Sequence, residues 1–418
     1  MTNISCGIDF GTSNSAIATH DQSSIQLVPV EHASLTIPSA MFYKRRQHQP
    51  YFGKEAMQMF LAGEEGRFMR SLKRVLGTSI MKQGTMINGK PLKFQKIIGG
   101  FVQNLKEKAE AENQQSIEHV VMGRPVHFVD HNESADDQAQ LELEEIARSV
   151  GFKHVEFQFE PIAAAYAHEV GLSSEKLALI VDIGGGTSDF TVIKLSNKYI
   201  TKSDRTEDIL ANTGVRVGGN DFDKNLSLSA FMPEFGYRST YGDKGLEVPL
   251  KPFHEMSEWS KVNLLYTPKI LMQTRQMVAQ SHDRVRYQRM LSLLENETGH
   301  TLLETIEHSK IELTNSTTVT APLEYIEIGL SIDVESSVFE LAIQKNLEKI
   351  SAEALKCVEL AGITSEAIGL VVLTGGSTEI PLVQQLFKNL FANADISEEN
   401  KLSSVTIGLA HEAGRKFN

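Results

Sequence analysis

Two short stretches set carboxylates beside glycines and hydroxyls, the composition needed to hold a phosphorylated ligand through a cation. The first is Asp9-Phe10-Gly11-Thr12-Ser13-Asn14 and the second is Asp182-Ile183-Gly184-Gly185-Gly186-Thr187-Ser188-Asp189. Successive small residues let backbone N–H groups approach a bulky anion closely and form a concave nest suited to phosphate. Carboxylates beside such a cradle repel the anion, so the arrangement implies Mg²⁺ held together with a nucleotide. Alone, a glycine-rich turn of this kind is an ordinary hairpin. Its recurrence is what gives it weight.

Both stretches end an alternating apolar run and precede another. Ile4, Cys6, Ile8 and Phe10 lead into Ala16 to Thr19, and Leu177, Leu179 and Ile180 lead into Phe190, Val192, Ile193 and Leu195. Each reads as strand, tight turn, strand. Two similar hairpins, each opening one half of the chain, predict two related lobes that close on one ligand.

The bulk composition limits the alternatives. With 418 residues, 41% of them apolar, the chain can bury large cores, and its length favours two or three domains. A net charge of −12 argues against a general nucleic-acid or anionic-membrane surface. Cys6 and Cys357 form no CxxC pattern and read as buried thiols in a reducing compartment. No leader-like start and no apolar run near 18 residues is present, which leads to the expectation of a cytoplasmic protein without membrane contact.

Along the chain, Gly53 to Met57 opens a helix, and Phe68 to Gly77 reads as a second one closed by glycine. Gly84 to Lys90 imitates the start of a P-loop, but Pro91 stands where Ser or Thr must ligate Mg²⁺, and Asn88-Gly89 marks a hairpin instead. Ile97 to Glu112 is an amphipathic helix and Ile117 to Phe128 a strand. His127, Asp130 and His131 lack a further nearby ligand and read as solvated rather than metal-bound. Leu141 to Val150 is helical, and the strand Val155 to Phe159 delivers Glu160 to the start of a helix rich in small residues, a place where open α/β sheets put ligand-binding groups.

In the second half, Val217-Gly218-Gly219-Asn220-Asp221 turns into a helix, and the pattern then loosens between Pro233 and Pro268 around the only tryptophan, Trp259. Thr267-Pro268 caps a helix expected to reach Asn296, and His300 to Thr314 and Val334 to Leu360 are helical. Arg275, Arg284, Arg286 and Arg289 read as solvated helix faces. The buried strand Leu370 to Leu373 ends in Thr374-Gly375-Gly376-Ser377-Thr378, whose glycines can face a purine or phosphate at a helix start. A final helix runs from Val405 to Phe417.

Five of these segments resemble the nucleotide-binding domain of the DnaK-type heat-shock chaperones, the heat shock protein 70 family, within the actin and sugar-kinase superfamily. They are Ile8 to Ser15, Glu160 to Ala165, Asp182 to Thr187, Gly218 to Asp223 and Gly375 to Pro381, in family order, with Lys73 to Gly77 and Glu307 to Thr314 also in place. Gly123-Arg-Pro-Val126, Phe157 to Pro161 and Ser404 to Ala410 are most similar to the YegD-type branch.

The resemblance implies a fold and a set of roles. The fold is α/β, the two-lobed actin-like ATPase fold of duplicated ribonuclease H-like domains with a nucleotide cleft between them. Its lobes would span residues 1–172 and 173–402, with an extended segment 224–306, a C-terminal helix 403–418 packing back on the first lobe, and no peptide-binding domain. ATP or ADP and Mg²⁺ are the implied cofactors. Asp9 and Asp182 would hold Mg²⁺ through its waters, while Gly11, Thr12, Ser13, Asn14, Gly184, Gly185, Gly186 and Thr187 grip the phosphates. Lys73 would sit at the γ-phosphate and Glu160 would order metal and attacking water. Gly218, Gly219, Asn220, Glu307, Lys310, Ile311, Thr314, Gly375, Gly376, Ser377, Thr378 and Ile380 would complete the nucleotide site.

Glu379 stands where the chaperones carry an arginine near adenine, Leu402 where they carry an aspartate, and no arginine lies between Arg124 and Arg148 to serve as their interdomain relay. The expectation is a slow Mg-dependent ATPase that acts as a nucleotide-switched, chaperone-like or regulatory module toward a protein partner. A sugar-kinase-type enzyme and an actin-like filament protein are the alternatives.

Overall fold

The computed structural model describes residues 4–21, 24–47, 49–129, 132–169, 172–202, 204–397 and 403–417. Leu402, Asp130 and His131 lie outside the described residues.

Each half is built on a sheet centred on one of the two glycine hairpins. In the first, Ser5–Phe10 pairs antiparallel with Asn14–His20, which pairs with Ile25–Leu27. On its other side Ser5–Phe10 pairs in parallel with His119–Arg124, itself parallel to His154–Phe159. In the second, Lys176–Ile183 pairs antiparallel with Ser188–Leu195, which pairs with Ile209–Val215. Its parallel neighbours are Leu370–Thr374 and then Asp395–Ser397. The two sheets share one strand plan, parallel on one side of the hairpin and antiparallel on the other. This is the duplicated architecture that the repeated motif implies.

The central strands are buried on both faces, which explains their near-continuous apolar character; Cys6, Ile8, Phe10, Leu179, Val181 and Ile183 are fully enclosed. Separate apolar cores fill the two halves. A third core joins them, drawing Ile162 to Ala165 from the helix Glu160–Glu169 and Val405, Leu409 and Ala413 from the helix Ser404–Phe417. The two helices meet so closely that a side chain at Gly408 would strike the backbone of Ala163. Small residues at this crossing bring the C-terminal helix against Ser5–Phe10, where Gly7 likewise has no room for a Cβ beside Ala410. The ends of both hairpins face each other across this joint.

Several local expectations are corrected. Phe68 to Gly77 is not a helix: Gly66–Arg70 is a strand paired with Ala40–Lys44. Ser71 then adopts a left-handed φ of 58°, and only a 3₁₀ turn, Leu72–Val75, comes after it. Cross-strand pairing outweighs helical propensity here, and Lys73 is presented from a tight turn. The helix predicted from Thr267 to Asn296 is two, Pro268–Gln280 and Arg284–Glu295, because Asp283 caps the second by accepting from Arg286 N–H at 3.2 Å. Val334 belongs to the strand Ser331–Glu335, and its helix starts at Ser336. The helix read from Leu141 begins at Glu133, where Asn132 supplies the cap.

Other expectations stand. Asn88 and Gly89 both have positive φ, 50° and 76°, as a type I′ turn between Gly84–Ile87 and Lys90–Lys93 requires, so no P-loop exists there. Cys6 and Cys357 are free and buried. His127 is exposed. Of the four arginines read as solvated, Arg275, Arg284 and Arg286 lie at the surface, but Arg289 does not: it is 14% exposed and held between Glu234 and Glu327. No described helix is long and apolar enough to cross a membrane.

Candidate active site

Lys73 and Glu160 form the centre of the site. Lys73 Nζ lies 2.6 Å from Glu160 Oε1, with their side chains only 10% and 15% exposed. Glu160 is the first residue of its helix, at the end of the edge strand His154–Phe159, and its Oε1 sits 3.3 Å from the point where a Gly123 side chain would begin. Gly123 thus leaves the space that Glu160 occupies. Phe128 lies 6.0 Å beneath Lys73 Nζ. The Phe128 segment is fixed by Asp136, which accepts from Phe128 N–H and pairs with Arg124 at 2.6 Å.

Asp9 and Asp182, at the ends of the two central strands, complete the cluster. Burial pushes Asp9 up to about 7, reinforced by Glu160 and relieved by Lys73. Burial also pushes Asp182 up to about 8, reinforced by Asp189, Glu160 and Asp9. Burial opposes the Lys73 charge, but Glu160, Asp9 and Asp182 outweigh it and hold that amine above its ordinary value. Three carboxylates, Asp9, Glu160 and Asp182, therefore share one enclosed lysine, and Asp189 acts on Asp182. Buried charge of one sign is costly without a compensating ion, so the donor set fits a hydrated divalent cation. Among the described residues, no three His, Cys, Asp or Glu side chains converge as direct metal ligands.

A stability consequence arises from the same burial. A carboxyl group whose pKa rises on folding favours the protonated state, so its penalty grows as pH climbs from about 4 toward 8 and is absent below that range. In metal-free protein at pH 8, Asp182→Asn melts about 2 °C or more above the parent, and the gap narrows as pH falls toward 4. Thermal denaturation followed by circular dichroism checks this; a lower or pH-independent difference contradicts it.

The glycines form two stacked turns. Gly184 N–H donates to the Thr187 carbonyl at 3.0 Å, closing the turn, and Thr187 Oγ1 donates to Asp189 at 2.9 Å. Gly219 N–H donates to Gly184 O at 3.0 Å and Asn220 N–H to Gly185 O at 2.7 Å, which ties the second glycine pair beneath the first turn. Gly218 must lack a side chain: its Cβ would lie 2.7 to 2.8 Å from the backbone of Gly184, Gly185 and Gly186. Ser377 Oγ donates to Gly184 O at 3.3 Å, and Gly375, at φ 83°, would place a Cβ 2.6 Å from Asp182 Oδ1.

The first hairpin meets these turns from the other half. Ser13 Oγ occupies the space a Gly185 side chain would need. Its loop is braced by Ser39, which donates through its hydroxyl to Gly11 O at 2.7 Å, and whose N–H donates to Ser13 O at 2.8 Å. On the far side, Lys310 pairs with Asp223 at 2.8 Å, and Lys310 Nζ lies 3.6 Å from the notional Gly219 Cβ. Burial raises Asp223 to about 6, with Lys310 lowering and Glu307 raising it.

Asp9, Lys73, Glu160, Asp182, Ser13, Gly184 to Thr187, Gly218 to Asn220, Lys310, Gly375 and Ser377 are thus brought together. Other predicted residues are placed less directly. Thr378 Oγ1 turns inward to Gly375 O at 2.7 Å, Ile380 is 4% exposed within the core, Ile311 is 54% exposed and Thr314 donates to Ile311 O. Glu307 reaches the cluster only through its field on Asp223. Three contributors were not singled out from sequence: Ser39, Asp223 and Arg74, whose Nη1 lies 3.8 Å from the notional Gly186 Cβ. Arg74 adjoins Lys73 and Asp223 closes the Gly218 to Asp223 motif, so both carried a positional signal; Ser39 carried none.

A family model described as Hsp70 protein matches residues 5–264 and 275–415. With its two-lobed actin-like ATPase fold and ATP-binding, chaperone-type character, the chain belongs to the Hsp70 family.

Proposed function

We propose that the protein binds ATP with Mg²⁺ between its lobes, hydrolyses it slowly and uses the resulting lobe movement to control its affinity for a protein partner. The observation that carries this reading is the enclosed Lys73–Glu160 pair, 2.6 Å apart, set between Asp9 and Asp182 and facing the two glycine turns. Asp9 and Asp182 would hold the cation, and Mg²⁺ when bound would supply charge neutralisation along the phosphates. Lys73, kept protonated by its carboxylate neighbours, stabilises the γ-phosphoryl group as charge shifts during cleavage. Glu160 accepts a hydrogen bond from the attacking water and orients it.

Slow turnover has its origin in the same pair. Lys73 and Glu160 satisfy one another in the absence of ligand, so part of the binding energy goes into separating them. Gly11 to Asn14 and Gly184 to Thr187 cradle the β- and γ-phosphates, and Glu307, Lys310, Ile311, Thr314, Gly375 to Thr378 and Ile380 form the nucleoside side. Glu379, exposed at that side, supplies no stacking cation and weakens base affinity. The lobes divide near residue 172, and the helix hairpin Pro268–Gln280 and Arg284–Glu295, within the segment 224–306, is the surface whose presentation changes. The short phrases around Gly123, Phe157 and Ser404 support a likeness to the YegD-type branch, and two buried thiols suit a reducing cytoplasm.

Titration calorimetry tests this. ATP affinity falls by about tenfold or more when Mg²⁺ is replaced by EDTA, because Asp9, Glu160 and Asp182 then face the phosphates with Lys73 as their only named counter-charge. Equal affinity with and without the metal contradicts the arrangement, and phosphate transfer that appears only with an added sugar or polyol favours a kinase instead.

A further inference from the structure

Charge is spread unevenly along this chain. Residues 41–100 hold 12 of its 41 Lys and Arg but only 3 of its 53 Asp and Glu, so a stretch of net charge +9 sits in a protein of net charge −12. Lys73 and Arg74 belong to the cleft. The other basic residues of the stretch lie outside the site described above.

The fold brings several of them to one corner of the first half. Ala40–Lys44 pairs with Gly66–Arg70, which sets Tyr43 opposite Arg67 and Lys44 opposite Gly66. The chain then turns through Arg45 and Arg46, and the Asn88-Gly89 hairpin is clipped onto that turn. Asn88 donates from Nδ2 to the carbonyls of Lys44 at 3.3 Å and Gln47 at 2.8 Å, and its Oδ1 accepts from Arg46 N–H at 3.0 Å. Arg46 has a φ of 65°, uncommon for a residue other than glycine, and the Asn88 bond holds it there. Lys90 comes directly after the hairpin turn, so Arg45, Arg46, Arg67 and Lys90 share this corner, all of them exposed.

Counter-charge is scarce around it. Glu64 is paired with Lys44 at 2.8 Å and Glu65 with Arg45. Arg46, Arg67, Lys82, Lys90, Lys93 and Lys96 are exposed, and none of the six is paired with a carboxylate among the described residues. Like charges gathered in this way repel one another and attract an anion.

We propose that this basic corner is a docking surface for a short, extended, acidic segment of a partner protein. Nucleic acid fits it poorly. A long polyanion that runs past the corner meets the rest of the chain, where 29 basic residues face 50 acidic ones, and no Phe, Tyr or Trp of residues 41–100 is exposed to stack a base. A short acidic segment stays inside the positive field. Met86, on the same hairpin opposite Pro91 and 60% exposed, adds a flexible apolar contact for a side chain lying between the acids. The surface is separate from the nucleotide cleft, and the proposal does not depend on nucleotide binding.

The test is fluorescence anisotropy of a labelled oligoglutamate peptide titrated with the full chain at low salt. The parent binds, and affinity falls by about tenfold or more when Arg46→Gln, Arg67→Gln and Lys90→Gln are combined. All three side chains are exposed, so the triple variant melts with the parent. Lys349→Gln, at an exposed position of the second half, binds like the parent. Binding weakens as ionic strength rises past about 0.1 M, where the screening length is about 10 Å. A peptide with leucines set among the glutamates binds more tightly than oligoglutamate, and Met86→Gln removes that gain. Equal affinity of parent and triple variant, or binding that ignores salt, overturns the proposal, as does an oligoglutamate that fails to bind at low salt. An oligothymidylate of matched charge that binds more tightly than the peptide, and is lost in the triple variant, overturns the acidic-protein partner in favour of nucleic acid.

Discussion

Lys73→Ala slows cleavage of bound ATP by about 10²- to 10³-fold in a single turnover, the usual effect of deleting one preorganised charge at a developing anion. ATP affinity changes far less, because the glycine turns and the cation still hold the phosphates. The magnitude rests on enclosure: Lys73 is 10% exposed and faces Glu160 at 2.6 Å, so water cannot replace its charge cheaply. Glu160→Gln has a comparable effect on cleavage, since the amide keeps the shape but is a poor acceptor for the water proton. The double variant is little slower than either single one, because the pair acts as a unit. Additive losses, measured by quench-flow under the same conditions, show instead that the two residues work independently.

Gly218→Ala abolishes tight nucleotide binding, with affinity falling by about 100-fold or more, equivalent to about 2.7 kcal/mol. Its Cβ would stand 2.7 to 2.8 Å from three backbone atoms of the Gly184 to Gly186 turn, none of which can rotate away as a side chain would. The turn must move, and the aligned N–H groups move with it. Gly184→Ala and Gly186→Ala are the informative contrasts. At both sites the nearest atoms are 3.8 Å away, so each variant keeps the parent's melting temperature. Any loss of ATP affinity in those two then reports the closeness of the phosphate and not a distorted fold. Titration calorimetry beside thermal melts separates the cases, and a Gly218→Ala protein that binds ATP like the parent contradicts the stacked-turn geometry.

What the sequence revealed of the site was the part encoded locally. Asp9 and Asp182 end strands whose alternation is plain, and the glycines come directly after, so each hairpin is specified by a few consecutive residues. Duplication was legible because the same pattern occurs twice, and the matching strand order of the two sheets bears it out. Lys73 and Glu160 were placed by motif alone, since no local rule brings together residues that far apart in the chain. Ser39 had no motif at all; its role comes from the pairing of Ala40–Lys44 with Gly66–Arg70, which carries it beneath the first loop.

The misread elements have two separate causes. Phe68 to Gly77 has helical composition, yet Phe68 and Met69 pair across to Phe42 and Met41, and the left-handed Ser71 interrupts the run before Leu72. That correction matters for function, because the tight turn aims Lys73 at Glu160. Pro268 to Asn296 has an unbroken helical pattern that hides the Asp283 cap, since a capping aspartate mid-pattern is not distinguishable from a solvated one until the backbone is seen.

The most direct measurement is single-turnover conversion of radiolabelled ATP by excess protein with Mg²⁺, alongside the same mixture in EDTA. The account predicts complete but slow conversion to ADP and phosphate with the metal, needing no acceptor sugar, and none without it. Stable ATP bound in the presence of Mg²⁺, or no ATP bound at all, would contradict the claim that Lys73, Glu160, Asp9 and Asp182 form a working hydrolytic site.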